Sequence, residues 1–233
     1  MLSIIIPTYN ERENISWLIE QVYTLCYRDC IALEIIVVDD NSPDGTAEIV
    51  LKLAKIYSNL KLVQRSAKLG LSSAVVAGFT KARGEILAVM DADLSHSPNS
   101  IIAMYREITA DNGPDFVIGS RYVQGAQIIG LSPFRRIISK AATVLVKSIT
   151  SVKDPLSGFF LIKKKCIENV ELNSQGFKIG LELLMKADYM QVKEVPIVFQ
   201  ARTKGFSKAG IHEAYFLLRN IVRYRSLKNF RRK

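Results

Sequence analysis

The chain predicts an α/β fold built on one mostly parallel sheet flanked by helices. Three observations carry that expectation. Short apolar runs alternate with helical stretches of about 10–15 residues, the pattern of βαβ units. Polar clusters follow the runs directly, where such sheets bind ligand. And 233 residues with 48% hydrophobic content suffice for one sizeable core.

The elements follow in order. Residues 2–6 read as a strand ending at Pro7, and 13–26 as a helix with Glu11 and Glu13 near its positive end. Residues 34–38 form a second apolar strand running into Asp39-Asp40, and 44–58 a helix opened by Asp44-Gly45-Thr46. A strand at 60–64, a helix at 71–82 and a strand at 85–90 precede Asp91-Ala92-Asp93. Residues 98–110 are helical after Pro98, and 115–119 are a strand. The second half is less regular. It offers a helix at 134–150, a strand at 157–162, a helix at 178–188, a strand at 192–200 and an amphipathic helix at 209–224. No linker, repeat or low-complexity stretch interrupts it. The economical division is a catalytic domain at 1–210, continued by a basic helix and tail at 211–233.

No run of about 18 apolar residues occurs, so no transmembrane helix is expected. The N-terminus reads as a strand rather than a signal peptide. Three irregularly spaced cysteines suit neither a disulfide framework nor a zinc site and fit reduced thiols in a cytoplasmic protein. The charge is uneven. Residues 1–134 carry 11 basic and 15 acidic side chains, and residues 135–233 carry 21 and 7. The C-terminal half is therefore expected to meet an anionic surface, either nucleic acid or lipid headgroups.

Asp91 and Asp93 are the most informative pair. Two carboxylates just past a buried strand are costly without partners. A divalent cation with a phosphate behind it would supply them, because Mg²⁺ is usually held by one or two carboxylates plus substrate phosphates. Solvated loop aspartates or a helix cap would also explain so short a motif. Neither a G-x-G-x-x-G fingerprint nor a P-loop is present. Lys68-Leu69-Gly70-Leu71-Ser72-Ser73 comes nearest, and it offers backbone N–H groups at a helix start. Tyr9 and Glu11 could serve as a stacking platform and a hydrogen-bond acceptor for a nucleoside, or simply mark a strand stop. Adjacent Asp39 and Asp40 need distinct partners: a basic side chain for Asp39 and a base or ribose hydroxyl for Asp40 are expected. Arg121, Arg135, Arg136, Arg202, Lys204 and Lys208 are placed for phosphate work, although any one of them alone would pass as a surface charge.

Taken together, PTYNE at 7–11, VVDDNSPDGT at 37–46, KLGLSSA at 68–74, DADLSH at 91–96, GSRY at 119–122, DPLSGFF at 154–160 and RTKGFSK at 202–208 resemble polyprenol-phosphate mannose synthases. These include the dolichol-phosphate mannosyltransferases, family 2 glycosyltransferases of the GT-A fold. The resemblance covers about residues 1–210. It implies a GDP-mannose donor, a polyprenyl (dolichyl) phosphate acceptor, Mg²⁺ or Mn²⁺, and inversion at the anomeric carbon. Carried over, Pro7, Tyr9, Glu11, Val38, Asp39, Asp40 and Lys68 would hold the nucleoside end. Asp91, Ala92, Asp93 and Ser95 would hold metal and diphosphate. Arg121, Arg136 and Ser139 would meet the acceptor phosphate, with Arg202 and Lys208 on the donor. Asp154, Ser157 and Gly158 would line the sugar region. Asn41 and Leu156 depart from the residues common at their positions.

The basic half then points to a peripheral enzyme on the cytoplasmic face of an anionic membrane, with a small membrane-anchoring subunit as a further expected partner. The helices at 134–150 and 209–224 carry apolar and basic side chains together. Three rivals stand beside this reading: a UDP-glucose donor with the same acceptor, a transferase with a soluble acceptor, and a nucleic-acid-binding module. The last lacks a stacking strand or recognition helix, so no nucleic acid is expected.

Overall fold

The computed structural model describes residues 1–172 and 178–201. The expected helix and tail beyond 208, and Arg202, Lys204 and Lys208, lie outside the described residues. In chain order the elements are β1 (Leu2–Thr8), α1 (Ile15–Arg28), β2 (Leu33–Asp39), α2 (Thr46–Ala54), β3 (Leu60–Gln64), α3 (Leu71–Lys81), β4 (Ile86–Val89) and α4 (Asn99–Thr109). There follow β5 (Phe116–Ser120), β6 (Gln127–Ile129), α5 (Pro133–Val146), β7 (Phe160–Lys163), a 3₁₀ turn at Lys164–Cys166, α6 (Ile179–Lys186), β8 (Val192–Pro196) and β9 (Val198–Gln200).

Seven strands form one sheet in the order β3-β2-β1-β4-β7-β5-β8, and β6 pairs with β9 in a small second sheet. Every contact in the large sheet is parallel except those of β7, which runs against both β4 and β5. β1 and β2 are buried along their whole length, as expected of a parallel sheet covered on both faces. Alternation sends Leu2, Ile4 and Ile6 toward α1, α2 and α4, in one apolar core. Ile5, Ile36 and Val38 face α3 and α6 in another. α3 lies close on β1 because Gly78 has no side chain: a Cβ there would stand 2.4 Å from Ile5 Cγ2.

Three differences from expectation matter. The single strand expected at 192–200 is two, because the chain leaves the large sheet after Pro196 and Val198–Gln200 pairs with β6. β6 itself is three residues long, with no readable period. The helix expected at 134–150 starts at Pro133, capped by Ser132, and ends at Val146. Its apolar residues mostly miss the core: only Thr143 and Val146 are buried, and Val146 packs with Ile149, Leu156 and Leu181.

At the opposite edge from the strand ends, Glu34 is fully buried. It accepts hydrogen bonds from Ser3 Oγ (2.6 Å), Arg83 N (2.6 Å), Arg83 Nε (3.1 Å) and Lys61 Nζ (3.1 Å). Burial alone would raise its pKa, but these bonds outweigh it and hold the carboxyl down to about 2. A depressed carboxyl pKa gives stability that is complete above the ordinary value and lost as pH falls toward the folded one. Glu34→Gln is expected to cost about 3 kcal/mol at pH 7 in urea unfolding. The wild-type advantage should shrink between about pH 4.5 and 2; a constant difference across that window would refute the assignment.

Candidate active site

The sheet order places a switch point between β1 and β4, since β2 and β3 lie on one side of β1 and β4 on the other. Ligands in such sheets sit beyond the strands' carboxyl ends at that point. The antiparallel β7 adds to this edge. Phe160 at its start lies opposite Val89 at the end of β4 and Ile118 near the end of β5. The segment 154–158 therefore arrives where Asp91 and Arg121 leave.

On the β1–β2 side the loops are stitched together. Asn10 N donates to Ser42 Oγ (3.0 Å), Glu11 N to Thr46 Oγ1 (3.0 Å) and Arg12 N to Asp44 Oδ2 (3.0 Å). Asp44 also accepts from Thr46 N and its hydroxyl, so it latches the start of α2. Pro7 and Val38 are buried strand partners in register. Tyr9 and Glu11 are half-buried at the rim. Lys68 Nζ stands 3.8 Å over the centre of the Tyr9 ring, a cation–π contact.

The basic partner expected for Asp39 goes to Asp40 instead. Asp39, fully buried, accepts from Thr8 Oγ1 (3.1 Å), Ser42 N (2.9 Å) and Ser42 Oγ. It is Asp40 that takes the basic side chain: Arg65 pairs with it through Nε and Nη2. Asp40 Oδ2 also accepts from Leu69 N (3.1 Å) and Gly70 N (2.9 Å), and Arg65 reaches Ser73 Oγ and Gly70 O. The reason is geometric: Asp40 lies past the last register pair and faces the end of β3. Arg65 follows β3 there, its N–H bonded to Asp39 O. Arg65 thus orders the Lys68–Gly70 turn. The strand-end rule applied to β3 would have found it.

Beyond β4, Ala92 is buried in the core while Asp91 and Asp93 are half-buried. Leu94 adopts φ +61°, an uncommon conformation for a side chain of this size. It turns the chain so that Ser95 N donates to Asp93 Oδ1 at 3.0 Å. Gly158 faces Asp91, and a Cβ on it would stand 3.3 Å from Asp91 Oδ2. The chain at 158 thus packs so closely on the carboxylate that a side chain there would crowd it. The described residues hold no cluster of three or more His, Cys, Asp or Glu fit to bind a metal. Two half-buried carboxylates suit a hard cation completed by substrate oxygens, and not a closed all-protein cage. Ser95 is buried, and its carbonyl accepts from Gln200 N (2.9 Å).

Arg121 leaves β5 and meets Asp154 three times: N at 2.9 Å, Nε at 2.8 Å and Nη2 at 2.8 Å. Its side chain is 12% exposed and that of Asp154 0%. Burial opposes the guanidinium charge, yet the hydrogen bonds and charge of Asp154, with the charge of Asp91, raise its pKa. The expected sugar-lining Asp154 and Ser157 are instead engaged with protein. Ser157 Oγ donates to Gly119 O at 2.7 Å and is 5% exposed. Ser139, on α5, shares a 2.9 Å hydrogen bond with Tyr122 OH. Arg136 Nη2 donates to Ile128 O (3.0 Å), tying α5 to β6. His96 is buried, its ring stacked 4.9 Å from Phe159 and edge-on to Phe199 at 5.7 Å. Burial first, then the positive charges of Arg121 and Lys178, push its pKa down to about 3. It is a neutral packing group at physiological pH.

A mostly parallel sheet with acids, a buried guanidinium and ordered loops along its carboxyl edge defines an α/β protein with its polar groups gathered at the switch point. The chain belongs to glycosyl transferase family 2, whose pattern matches residues 3–171. It is 43% identical over 226 residues to the dolichol-phosphate mannosyltransferase of Pyrococcus furiosus, covering 95% of this chain and 63% of that protein. It is 39% identical over 216 residues to the Saccharomyces cerevisiae dolichol-phosphate mannosyltransferase, covering 88% and 80%. The chain thus spans less than two thirds of the archaeal relative's length. In structure it resembles the mannosyltransferase PcManGT from Pyrobaculum calidifontis in complex with GDP-Man and Mn²⁺ (TM-score 0.65, 21% identity, 95% of this chain and 64% of that one). It also resembles glucosyl-3-phosphoglycerate synthase from Mycobacterium tuberculosis in complex with Mn²⁺, UDP and phosphoglyceric acid (TM-score 0.66, 18% identity, 96% and 76%). These likenesses establish the GT-A-type fold.

Gly158→Ala is expected to weaken Mn²⁺ binding without unfolding the protein, since overpacking costs about 1–3 kcal/mol, roughly tenfold in affinity. Electron paramagnetic resonance of free Mn²⁺ in a titration with GDP present checks it. An unchanged affinity would show that Asp91 does not face the cation.

Proposed function

We propose that this protein transfers mannose from GDP-mannose to a polyprenyl (dolichyl) monophosphate, with inversion at the anomeric carbon and with a divalent cation as cofactor. The observation that carries the reading is the meeting of Asp91 and Arg121 at one sheet edge. A carboxylate for a cation and a buried guanidinium for an anion suit a reaction between two phosphate-bearing substrates. The dolichol-phosphate mannosyltransferases at 39% and 43% identity support the choice of sugar and acceptor.

In this reading Tyr9, Glu11 and Lys68 hold the nucleoside end, and Asp39 and Asp40 fix the loops that present them. Asp91 and Asp93 bind the cation, which when bound neutralises charge on the departing diphosphate as a Lewis acid. Arg121 binds the acceptor phosphate bidentately through the edge of its guanidinium not turned to Asp154. Arg136 and Ser139 extend that side, and Arg202 and Lys208 add positive charge toward the donor. A phosphate monoester is anionic at neutral pH, so no side chain need remove a proton. The neutral, enclosed His96 is consistent with that.

The acceptor's lipid tail requires approach to a bilayer. No described helix is long and apolar enough to cross one. Phe134 (72% exposed), Ile137 (68%), Ile138, Val144 and Leu145 face outward from α5, on a helix that also carries Arg135, Arg136, Lys140 and, just beyond its end, Lys147. Exposed apolar side chains beside cationic ones suit the interface of an anionic membrane.

Two experiments test the proposal. Incubation with Mn²⁺, a polyprenyl phosphate and labelled GDP-mannose or UDP-glucose should yield mannolipid of inverted configuration. Asp91→Ala should lower turnover by about 10²–10³-fold. A glucolipid product, a retained configuration or a near-normal variant would overturn the corresponding part. The double variant Phe134→Ser/Ile137→Ser should float less with phosphatidylserine liposomes than the wild type. Equal recovery would remove α5 from the membrane contact.

A further inference from the structure

Glu194, on β8, has no place in the chemistry above, yet it holds the segment that holds Arg121. Its two carboxylate oxygens accept the backbone N–H groups of Lys153 (2.7 Å) and Asp154 (2.9 Å). Those N–H groups belong to an irregular segment with no sheet ladder to satisfy them, and that of Asp154, a buried residue, needs a partner. A carboxylate taking two adjacent N–H groups makes charge-assisted bonds and fixes the peptide plane between Lys153 and Asp154. That plane sets where the Asp154 side chain leaves the backbone.

Asp154 then receives Nε and Nη2 of Arg121 along one edge of the guanidinium, and the Arg121 backbone N–H as well. Farther along, Lys178 Nζ donates to Leu156 O at 2.7 Å, and Ser157 Oγ ties to Gly119 O. Both ends of the relay stand on paired strands: Glu194 is the register partner of Ile118 on β5, and Arg121 follows β5 directly. The relay therefore spans rigid elements rather than two mobile loops.

We propose that Glu194 is a positioning residue for recognition of the acceptor phosphate: through the backbone at 153–154 it orients Asp154, and through Asp154 it aims the remaining N–H edge of Arg121 at that phosphate. The proposal rests on the reading of Arg121 as the acceptor's binding group. Nothing about Glu194 in the sequence suggests this role, because an acid in Val192–Pro196 reads as a solvent-facing strand residue.

The test compares wild type with Glu194→Gln, which keeps the size but exchanges one acceptor for a donor, and with Glu194→Asp, which keeps the charge but is shorter. In the substrate-free protein, NMR follows solvent exchange of the Arg121 Nε–H. In turnover, KM is measured separately for polyprenyl phosphate and for GDP-mannose. Glu194→Gln is expected to speed Nε–H exchange and to raise the acceptor KM about tenfold, the scale of one lost charge-assisted bond. The donor KM should stay within about twofold, with Glu194→Asp intermediate in each readout. Unchanged exchange, or donor and acceptor KM rising together in a folded variant, would overturn the relay. If Glu194→Gln does not fold, Glu194→Asp carries both measurements. A wild-type enzyme inactive toward polyprenyl phosphate would instead overturn the function proposed above, a result separate from the exchange measurement.

Discussion

The buried pairing of Arg121 with Asp154 is the interaction around which the edge of the sheet is arranged. A guanidinium this enclosed loses much of its hydration, and the Asp154 carboxylate offsets that cost. Asp154 supplies the direct contact and Asp91 a longer-range attraction. The arrangement makes the two halves of the crevice interdependent. Charge placed on Asp91, such as a bound cation, changes the field at Arg121, and Gly158 keeps the chain carrying Asp154 against Asp91 itself. Removing either partner of such a pair leaves an uncompensated charge, which is why the pair is a constraint on the fold as much as a feature of a site.

Much of this was legible in the sequence. β1 through β5 and their intervening helices follow from the alternation of apolar runs with helical periods, and the acids stand where strands end. What was not legible depended on residues far apart in the chain. Asp39 and Asp40 are neighbours with similar chemistry. Only the placement of β3 beside β2 brings Arg65 to Asp40 and leaves the Thr8 and Ser42 hydroxyls to Asp39. Likewise nothing local marks the break at Ile197, because alternation continues through it while the pairing partner changes from β5 to β6. Asp154 reads as a polar loop residue suited to a sugar, and its burial against Arg121 becomes apparent only with β7 in place.

α5 shows a different limit. Apolar residues at helical spacing describe equally a helix packed on a core and one lying in a bilayer interface. In the structure the helix is anchored at its far end by Val146, while Phe134 and Ile137 near its start project into solvent, as the proposed membrane contact requires. A large exposed apolar face on a basic helix is unfavourable in water, so its presence calls for an occupant. The same reasoning gives the uneven charge of the chain a location. The acidic half builds the rim that would bind a cation, and the basic half supplies α5.

The direction of β7 ties these parts together. A parallel strand between β4 and β5 would begin at the sheet's amino edge, and the segment before it would lie on the far side from Asp91. Because β7 is antiparallel, Phe160 starts at the carboxyl edge, opposite Val89 and Ile118. The preceding residues then reach Arg121 through Asp154 and Asp91 through Gly158 within five positions. One reversed strand thus does what the βαβ pattern alone could not. It brings the guanidinium proposed to bind an anion against the carboxylate proposed to bind a cation, with backbone held by Glu194 and Lys178 on either side. The spacing between the two groups is then fixed by strand register, the least deformable part of the molecule, rather than by the conformation of a loop.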